Sequence, residues 1–306
     1  SALRTPHSAF MTGPRTILAL GGGGARGVAH LGAVEAVRDA GFEIERIVGV
    51  SIGSLAGAMC AFDTNIQRVQ QQTLDYLLSP TFQKNQRELF GARRKPGEET
   101  TGGLFSWHAR IQDFLRANRL LKRVFRSPSL LPGALLQDVV DALLPDADIA
   151  DAAVPLSIVA VDLRSGHKIV LERGPLRLAV RASSSLPGIF PPVEHEGMLL
   201  CDIGVFDSLP VIVAQSYPAD VVIGVDVSSG IKRLSRCETA LDVLMRMDEI
   251  GEAMFRKHVP RFADLIIRPD VGSTEWFDFT TPAKMIESGR TAARLALATL
   301  APRSVA

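Results

Sequence analysis

Residues 47–57 read IVGVSIGSLAG, and this stretch decides the fold. Its first four residues form an apolar run typical of a short buried strand, and the small residues that follow can form a helix close against it. Ser51 lies at the sharp turn between the two elements. With Gly49 and Gly53 it completes a Gly-x-Ser-x-Gly pattern, in which a strained turn presents the serine hydroxyl at the helix N-terminus. The pattern predicts a nucleophile for acyl transfer; the alternative is an ordinary turn in which the serine caps the helix.

A second glycine-rich turn precedes this unit. Residues 16–20 predict a buried strand, and residues 28–40 carry apolar side chains at helical spacing, with the loop GGGGARG at 21–27 between them. Strand, glycine loop, helix, strand, elbow and helix therefore alternate along the chain. This alternation predicts an α/β fold, a three-layer α/β/α sandwich with a mostly parallel central sheet.

The glycine loop has two interpretations. Gly22, Gly24 and Gly27 match Gly-x-Gly-x-x-Gly, which binds a dinucleotide pyrophosphate when an acidic residue ends the next strand. Ile47 stands about where that acid is required, and the strand ends at Ser51 instead. The other interpretation is an oxyanion hole, in which backbone N–H groups hold the alkoxide formed when a serine attacks an ester. We favour the oxyanion hole because it also accounts for the neighbouring elbow.

Composition limits the partners. The 306 residues are 46% hydrophobic, enough for the core of one large domain, and a net charge of +1 gives no reason to expect a nucleic-acid partner. Cys60, Cys201 and Cys237 are far apart and lack metal-ligand spacing, which is typical of reduced thiols in a cytoplasmic protein. No apolar run approaches the ~18 to 20 residues that span a bilayer. We expect a cytoplasmic protein without a bound metal.

The chain divides into three predicted parts. Residues 1–14 form a flexible tail, residues 15–301 form a single domain, and residues 78–144 form a cap-like insertion of helices and loops. Within the insertion, residues 111–126 predict a helix with an apolar arc and a basic arc. One hypothesis is a cap that touches an anionic lipid surface at the inner face of the membrane. The other is a surface helix whose charges lie in water.

Three carboxylates are candidates for a base beside Ser51. Predicted strands at 156–161, 198–201 and 221–227 deliver Asp162, Asp202 and Asp226, respectively, near their carboxyl ends. Those ends are where sites assemble in parallel α/β sheets, so the pattern alone leaves all three open. A catalytic histidine is disfavoured, because only His258 follows Asp226, inside a predicted helix at 240–258. We expect this helix to turn Leu241, Leu244, Met245 and Ile250 inward, with its methionine packing in the core rather than in a binding site.

Four motifs stand in the order found in the patatin-like phospholipases. They are GGGARG at 22–27, GVSIG at 49–53, ASSSLP at 182–187 leading into FPP at 190–192, and DIG at 202–204. With ADLIIRPD at 263–270, the chain resembles bacterial members of this family from about residue 15 to residue 301.

The resemblance implies a serine acyl hydrolase of the patatin type without a cofactor. Ser51 is the implied nucleophile and Asp202 its base, and the lipid ester substrate is a phospholipid or a lysophospholipid. The implied oxyanion and substrate-binding residues are Gly22, Gly23, Gly24, Arg26, Gly27 and Ile52. Arg26 either contacts a substrate phosphate or anchors the loop.

This chain departs from the family at one position and leaves other functions open. The family reads Asp-Gly-Gly or Asp-Gly-Ala where this chain has Ile203, so either the turn has ordinary backbone angles here or the Ser51 and Asp202 geometry differs. The alternatives are an acyltransferase on the same site, a catalytically impaired lipid-binding or regulatory protein, and a nucleotide-binding protein.

Overall fold

The computed structural model describes residues 13–90, 128–129, 131–204, 206–231, 237, 240–272, 274 and 277–300. At 87–90, 240–242, 244–245 and 260 it describes the backbone alone. The predicted tail therefore falls almost wholly, and the predicted basic helix at 111–126 entirely, outside the described residues. The domain boundaries and the cap-like insertion stay predictions.

Eight strands form one sheet in the described part of the chain. Its order is β5-β6-β3-β2-β1-β7-β8, with β4 also paired to β3. The strands are β1 Arg15–Leu20, β2 Glu43–Val50, β3 Leu156–Asp162, β4 Lys168–Leu171, β5 Val193–His195, β6 Met198–Cys201, β7 Val221–Val225 and β8 Leu265–Ile267. Strands β8, β7, β1, β2 and β3 are parallel, whereas β4, β5 and β6 join antiparallel. The mostly parallel sheet expected from the sequence is confirmed.

Helices cover the two faces of the sheet unequally. They are α1 Ala29–Asp39, α2 Ile52–Phe62, α3 Ile66–Leu77, α4 Pro80–Phe90, α5 Ala134–Leu143, α6 Leu176–Ser183, α7 Val211–Ala214, α8 Ala240–Arg256 and α9 Pro282–Leu297. Alternate residues of β1 point to opposite faces, so Leu18 and Leu20 pack among α1, α2 and α9. Ile17 and Ala19 instead pack under the short α7 and the 3-10 turn Val259–Phe262.

The expectation that the methionines of α8 pack in the core fails at two positions. Met247 and Met254 are 59% and 61% exposed, whereas the side chain of Met245, which was expected to point inward, lies outside the described residues. A helix with apolar residues on more than one side does not reveal from its sequence which side faces inward.

Candidate active site

The elbow at Ser51 has the strained geometry that its sequence predicts. Ser51 has φ 54° and ψ −128°, a backbone region that a non-glycine residue enters only when the surrounding structure enforces it. Its side chain makes no capping hydrogen bond to α2, so the interpretation as an ordinary serine cap is wrong. Gly53 permits the turn, because a Cβ there would lie 2.1 Å from the carbonyl oxygen of Leu20.

Strand pairing brings Asp202 to the same place. In β3, Val159 pairs with Val50 of β2 and Val161 pairs with Cys201 of β6. Since β4 pairs with both Val159 and Val161, it occupies the other edge of β3, and β2 and β6 must share one edge. The two strands therefore approach each other end to end, with only one β3 residue between their last pairs. Ser51 follows β2 and Asp202 follows β6, so both enter this gap.

This arrangement corrects one step of the sequence argument. Asp202 was expected at the carboxyl end of a parallel strand, but β6 runs antiparallel to β3. The carboxylate reaches Ser51 because β6 points back toward the end of β2. The two residues are thus brought together by opposed strands rather than by a shared direction.

Burial makes the Asp202 carboxyl more basic. The residue is 3% exposed, and one carboxylate oxygen, Oδ1, accepts the N–H of Gly204 at 2.7 Å. Burial raises the pKa of Asp202 to about 6, while hydrogen bonding from the Ser51 hydroxyl and the Gly204 N–H opposes the rise. Asp202 is therefore more basic than an ordinary carboxylate and still ionised near neutral pH.

The other two candidate carboxylates are engaged elsewhere. Asp162 accepts the Ser165 hydroxyl at 2.6 Å and the Leu199 N–H at 2.8 Å, and these bonds, led by Ser165, lower its pKa to about 2. The Asp226 carboxylate pairs with two arginines: its Oδ1 lies 3.7 Å from Nη1 of Arg256, and its Oδ2 lies 3.6 Å from Nε of Arg268. Asp202 is the carboxyl to which the Ser51 hydroxyl donates a hydrogen bond.

Ile203 is accommodated by an ordinary turn. Neither Ile203 nor Gly204 lies in the left-handed region, so the departure from the family motif strains no backbone. The Ile203 side chain is 5% exposed and packs with Val50 and Val159 on one face of the sheet. The residue that stands in place of glycine is thus a core residue beneath the site.

The glycine loop faces Ser51, and its backbone N–H groups differ in whether they have a hydrogen-bond acceptor. The Gly22 N–H donates to the carbonyl oxygen of Ser208 at 2.8 Å, so it is engaged within the fold. The N–H groups of Gly23 and Gly24 have no acceptor among the described residues. Gly24 has φ 59°, a left-handed conformation that favours glycine. The loop therefore leaves two consecutive donors for a ligand oxygen.

The other predicted loop residues have structural contacts. Gly27 packs on Ile52 so closely that a Cβ would lie 2.3 Å from the Ile52 Cγ2. Arg26 is 7% exposed and lines the cavity beside Ser51.

The dinucleotide interpretation of the glycine loop lacks its second requirement. Strand β2 ends at Val50, so the acidic residue that a dinucleotide ribose requires is missing from the end of β2.

Two supporting residues were missed by sequence reasoning. The Ser51 N–H donates to the Ser183 hydroxyl oxygen at 2.9 Å, and that hydroxyl donates to the Val159 carbonyl at 2.6 Å. His30 lies 2.8 Å from the Gly21 carbonyl, and because a carbonyl only accepts, its Nε2 carries the proton. Burial lowers the pKa of His30 to about 4, so the ring is neutral. For Ser183, the run of small residues around it was the sequence signal that could have indicated its role.

A cavity of about 290 Å³ opens at Ser51, and its lining includes an apolar and a polar set of residues. Residues 52, 55, 56 and 59 of α2 line it at helical spacing, so its wall follows α2 for roughly 10 Å. The apolar lining residues include Leu55, Met59, Leu77, Phe82, Leu136, Val140 and Phe279. The polar lining residues include Ser228, Ser229, Arg246, Asp248, Glu249, Glu252 and Arg256.

A strained serine elbow, a buried carboxylate and free loop N–H groups at the edge of an α/β sheet define the class of serine hydrolases. Residues 18–214 match the model of the patatin-like phospholipase family, and the chain belongs to this family.

Curated relatives agree with this assignment. An uncharacterized NTE family protein of Mycobacterium bovis is 30% identical over 264 residues, which are 83% of this chain and 61% of the relative. Human patatin-like phospholipase domain-containing protein 6 is 31% identical over 221 residues, 72% of this chain and 14% of the relative. This chain therefore spans less than two thirds of the length of either relative.

Among solved structures, VipD from Legionella pneumophila is similar over 94% of this chain and 67% of its own, at a TM-score of 0.47 and 14% identity. No helix in the described ranges is both long enough and apolar enough to cross a membrane.

Proposed function

We propose that this protein is a serine acyl hydrolase that cleaves fatty-acyl ester bonds of phospholipids or lysophospholipids. One observation carries the proposal: β2 and β6 meet on one edge of β3, which brings Ser51 and the basic, buried Asp202 together at the mouth of an apolar cavity. Family membership supports lipid as the substrate class.

The reaction proceeds in two steps. Asp202 takes the proton from the Ser51 hydroxyl as its oxygen attacks the acyl carbonyl. The N–H groups of Gly23, Gly24 and Ile52 hold the negative charge that develops on the carbonyl oxygen. Asp202 then gives its proton to the departing alcohol, leaving an acyl-Ser51 ester. Asp202 then takes a proton from a water molecule, whose oxygen attacks this ester, and returns the proton to the Ser51 oxygen as the bond to the acyl group breaks, which releases the fatty acid and restores the site.

The cavity and the dry environment fit this chemistry. The α2 residues that line the cavity are apolar, as an acyl chain requires. Burial that excludes water raises the basicity of Asp202 and brings it nearer to working pH, which improves proton transfer. The acyltransferase alternative would use the same serine and differ only in the acceptor of the acyl group.

Labelling with a fluorophosphonate tests the nucleophile. The probe should add once per folded chain, detected by intact mass, and peptide mapping should place it on Ser51. The Ser51→Ala variant should not react, whereas Ser229→Ala, a matched change of another hydroxyl in the cavity, should react normally. A folded protein that stays unlabelled would refute hydrolysis at Ser51 and favour an impaired lipid-binding protein. Fatty-acid release from vesicles then identifies the lipid.

A further inference from the structure

Helix α8 has the reverse of the usual amphipathic pattern. Among its described side chains before Arg256, five are exposed, and four of these are apolar: Val243 at 50%, Met247 at 59%, Met254 at 61% and Phe255 at 53%. The spacing of four and seven residues places Val243, Met247 and Met254 on one stripe. A helix on the surface of a globular protein normally turns such a stripe inward.

Three charged residues of the same helix turn inward. Arg246 and Glu249 form an ion pair at 2.8 Å while their side chains are only 17% and 14% exposed, and the Arg256 side chain is 14% exposed. All three line the cavity that opens at Ser51. Helix α8 is therefore a wall of the candidate active site with polar residues inside and apolar residues outside.

The apolar face continues toward the segment that follows Asp202. Phe206, four residues after Asp202, is 65% exposed, and its ring centre lies 6.1 Å from that of Phe255 in an edge-to-face arrangement. Phe206, Val243, Met247, Met254 and Phe255, which we call the α8 face, thus link the outside of the cavity wall to the segment that carries the base. Apolar side chains gathered in this way mark an interaction site rather than ordinary surface.

We propose that the α8 face docks on a lipid surface by inserting its methionine and phenylalanine side chains among the acyl chains. The occupant follows from two observations. The face is the outer side of the cavity wall, where a lipid substrate must arrive from its aggregate, so this inference rests on the proposed function. The five residues of the face carry no charge, and the exposed charged side chains next to them, Asp248 and Lys257, are of opposite sign, so apolar insertion and not attraction to anionic phosphate drives binding.

This surface differs from the one suggested by the sequence. The basic residues at 111–126 would favour anionic lipid and would bind less at high salt. The α8 face should bind zwitterionic lipid, and salt should have little effect because the apolar contribution is not screened.

The test measures vesicle binding separately from catalysis. Vesicles of ether-linked phosphatidylcholine contain no ester, so co-sedimentation reports binding alone. The triple variant Met247→Gln, Met254→Gln and Phe255→Gln keeps a helix-forming composition and changes no residue that lines the cavity. Its partition onto these vesicles should be weaker by about tenfold or more. Leu295→Gln, a change at a 69% exposed apolar residue on α9, should bind like the unmodified protein.

Several outcomes would overturn docking on lipid. They are an unmodified protein that does not bind these vesicles, a triple variant that binds equally well, or binding that requires anionic lipid and disappears at high salt. Self-association that the triple variant abolishes, without vesicle binding, would make the face a dimer interface instead. Labelling of Ser51 by a soluble fluorophosphonate should be the same in all variants. Loss of labelling with normal vesicle binding would defeat the proposed hydrolysis but leave the docking surface intact.

Discussion

Replacing Asp202 by Asn should abolish catalysis and, at alkaline pH, make the folded protein more stable. The carboxyl of Asp202 is buried, and its pKa rises from an ordinary value of 3.8 to about 6. Above pH 6 the folded protein must hold this group ionised in a site that disfavours the charge. Asn has the same shape, keeps an oxygen that can accept the Gly204 N–H, and is never charged.

The magnitude follows from the pKa difference. A shift of about 2 units corresponds to about 3 kcal/mol, which is the amount by which ionised Asp202 lowers the free energy of unfolding above pH 6. Between pH 4 and 6 the unfolded chain has released this proton and the folded chain retains it. The contribution of Asp202 to the free energy of unfolding of the unmodified protein therefore falls as pH rises. The advantage of Asp202→Asn should grow by about 1.4 kcal/mol per pH unit across that window and then level off.

Urea unfolding at several pH values between 4 and 8 measures the difference between the two proteins, and fluorophosphonate labelling measures the reactivity of Ser51. In the unmodified protein the labelling rate should rise through about pH 6 as Asp202 loses its proton. Asp162→Asn is the control, because hydrogen bonds lower the pKa of that carboxyl and its replacement should destabilise the protein above pH 4. A pH-independent stability difference, or substantial labelling of Asp202→Asn, would refute the assignment of Asp202 as a buried base.

Three further substitutions test the supports of the site. Ser183→Ala removes the acceptor of the Ser51 N–H, and we expect a loss of about 1 to 3 kcal/mol in urea unfolding together with slower labelling. Ile203→Gly restores the usual family residue but deletes a buried side chain, so it should destabilise by about 3 kcal/mol without faster labelling; a faster rate would show that Ile203 impairs the site. His30→Leu leaves the Gly21 carbonyl without its donor, and slower labelling at pH 7 would show that the glycine loop has moved.

The first half of the site was predictable because it is local in sequence. The strand, glycine loop, helix, strand and serine elbow follow one another within residues 15–62, and each has its own pattern of apolar and small residues. The strain at Ser51 follows from the same few residues. Nothing distant in the sequence is needed to place Ser51 at this turn.

The second half depends on pairing that the sequence does not encode locally. The pattern of β6 predicts a strand but not its direction, so its end-to-end approach to β2 was not foreseen. Ser183 belongs to a serine run whose three hydroxyls look alike in sequence, and only the packing of α6 against β3 selects the one that holds Ser51. The outward apolar face of α8 was missed for the same reason. The apolar side of this helix faces outward because its opposite side lines the cavity, and the sequence does not show where the cavity lies.

Two buried ionisable groups of the candidate site, Asp202 and His30, have opposite effects on the pH dependence of stability. The pKa of Asp202 is raised to about 6 and that of His30 is lowered from 6.5 to about 4, both mainly by burial. Between pH 4 and 6 the folded protein holds a proton on Asp202 that the unfolded chain has released, and lacks one on His30 that the unfolded chain has bound. The two contributions to the pH dependence of unfolding are therefore equal and opposite in this window, about 1.4 kcal/mol per pH unit each. In Asp202→Asn only the His30 contribution remains, so the free energy of unfolding of this variant should rise steeply from pH 4 to 6. In the unmodified protein the contributions of the two groups to the free energy of unfolding cancel over the same range.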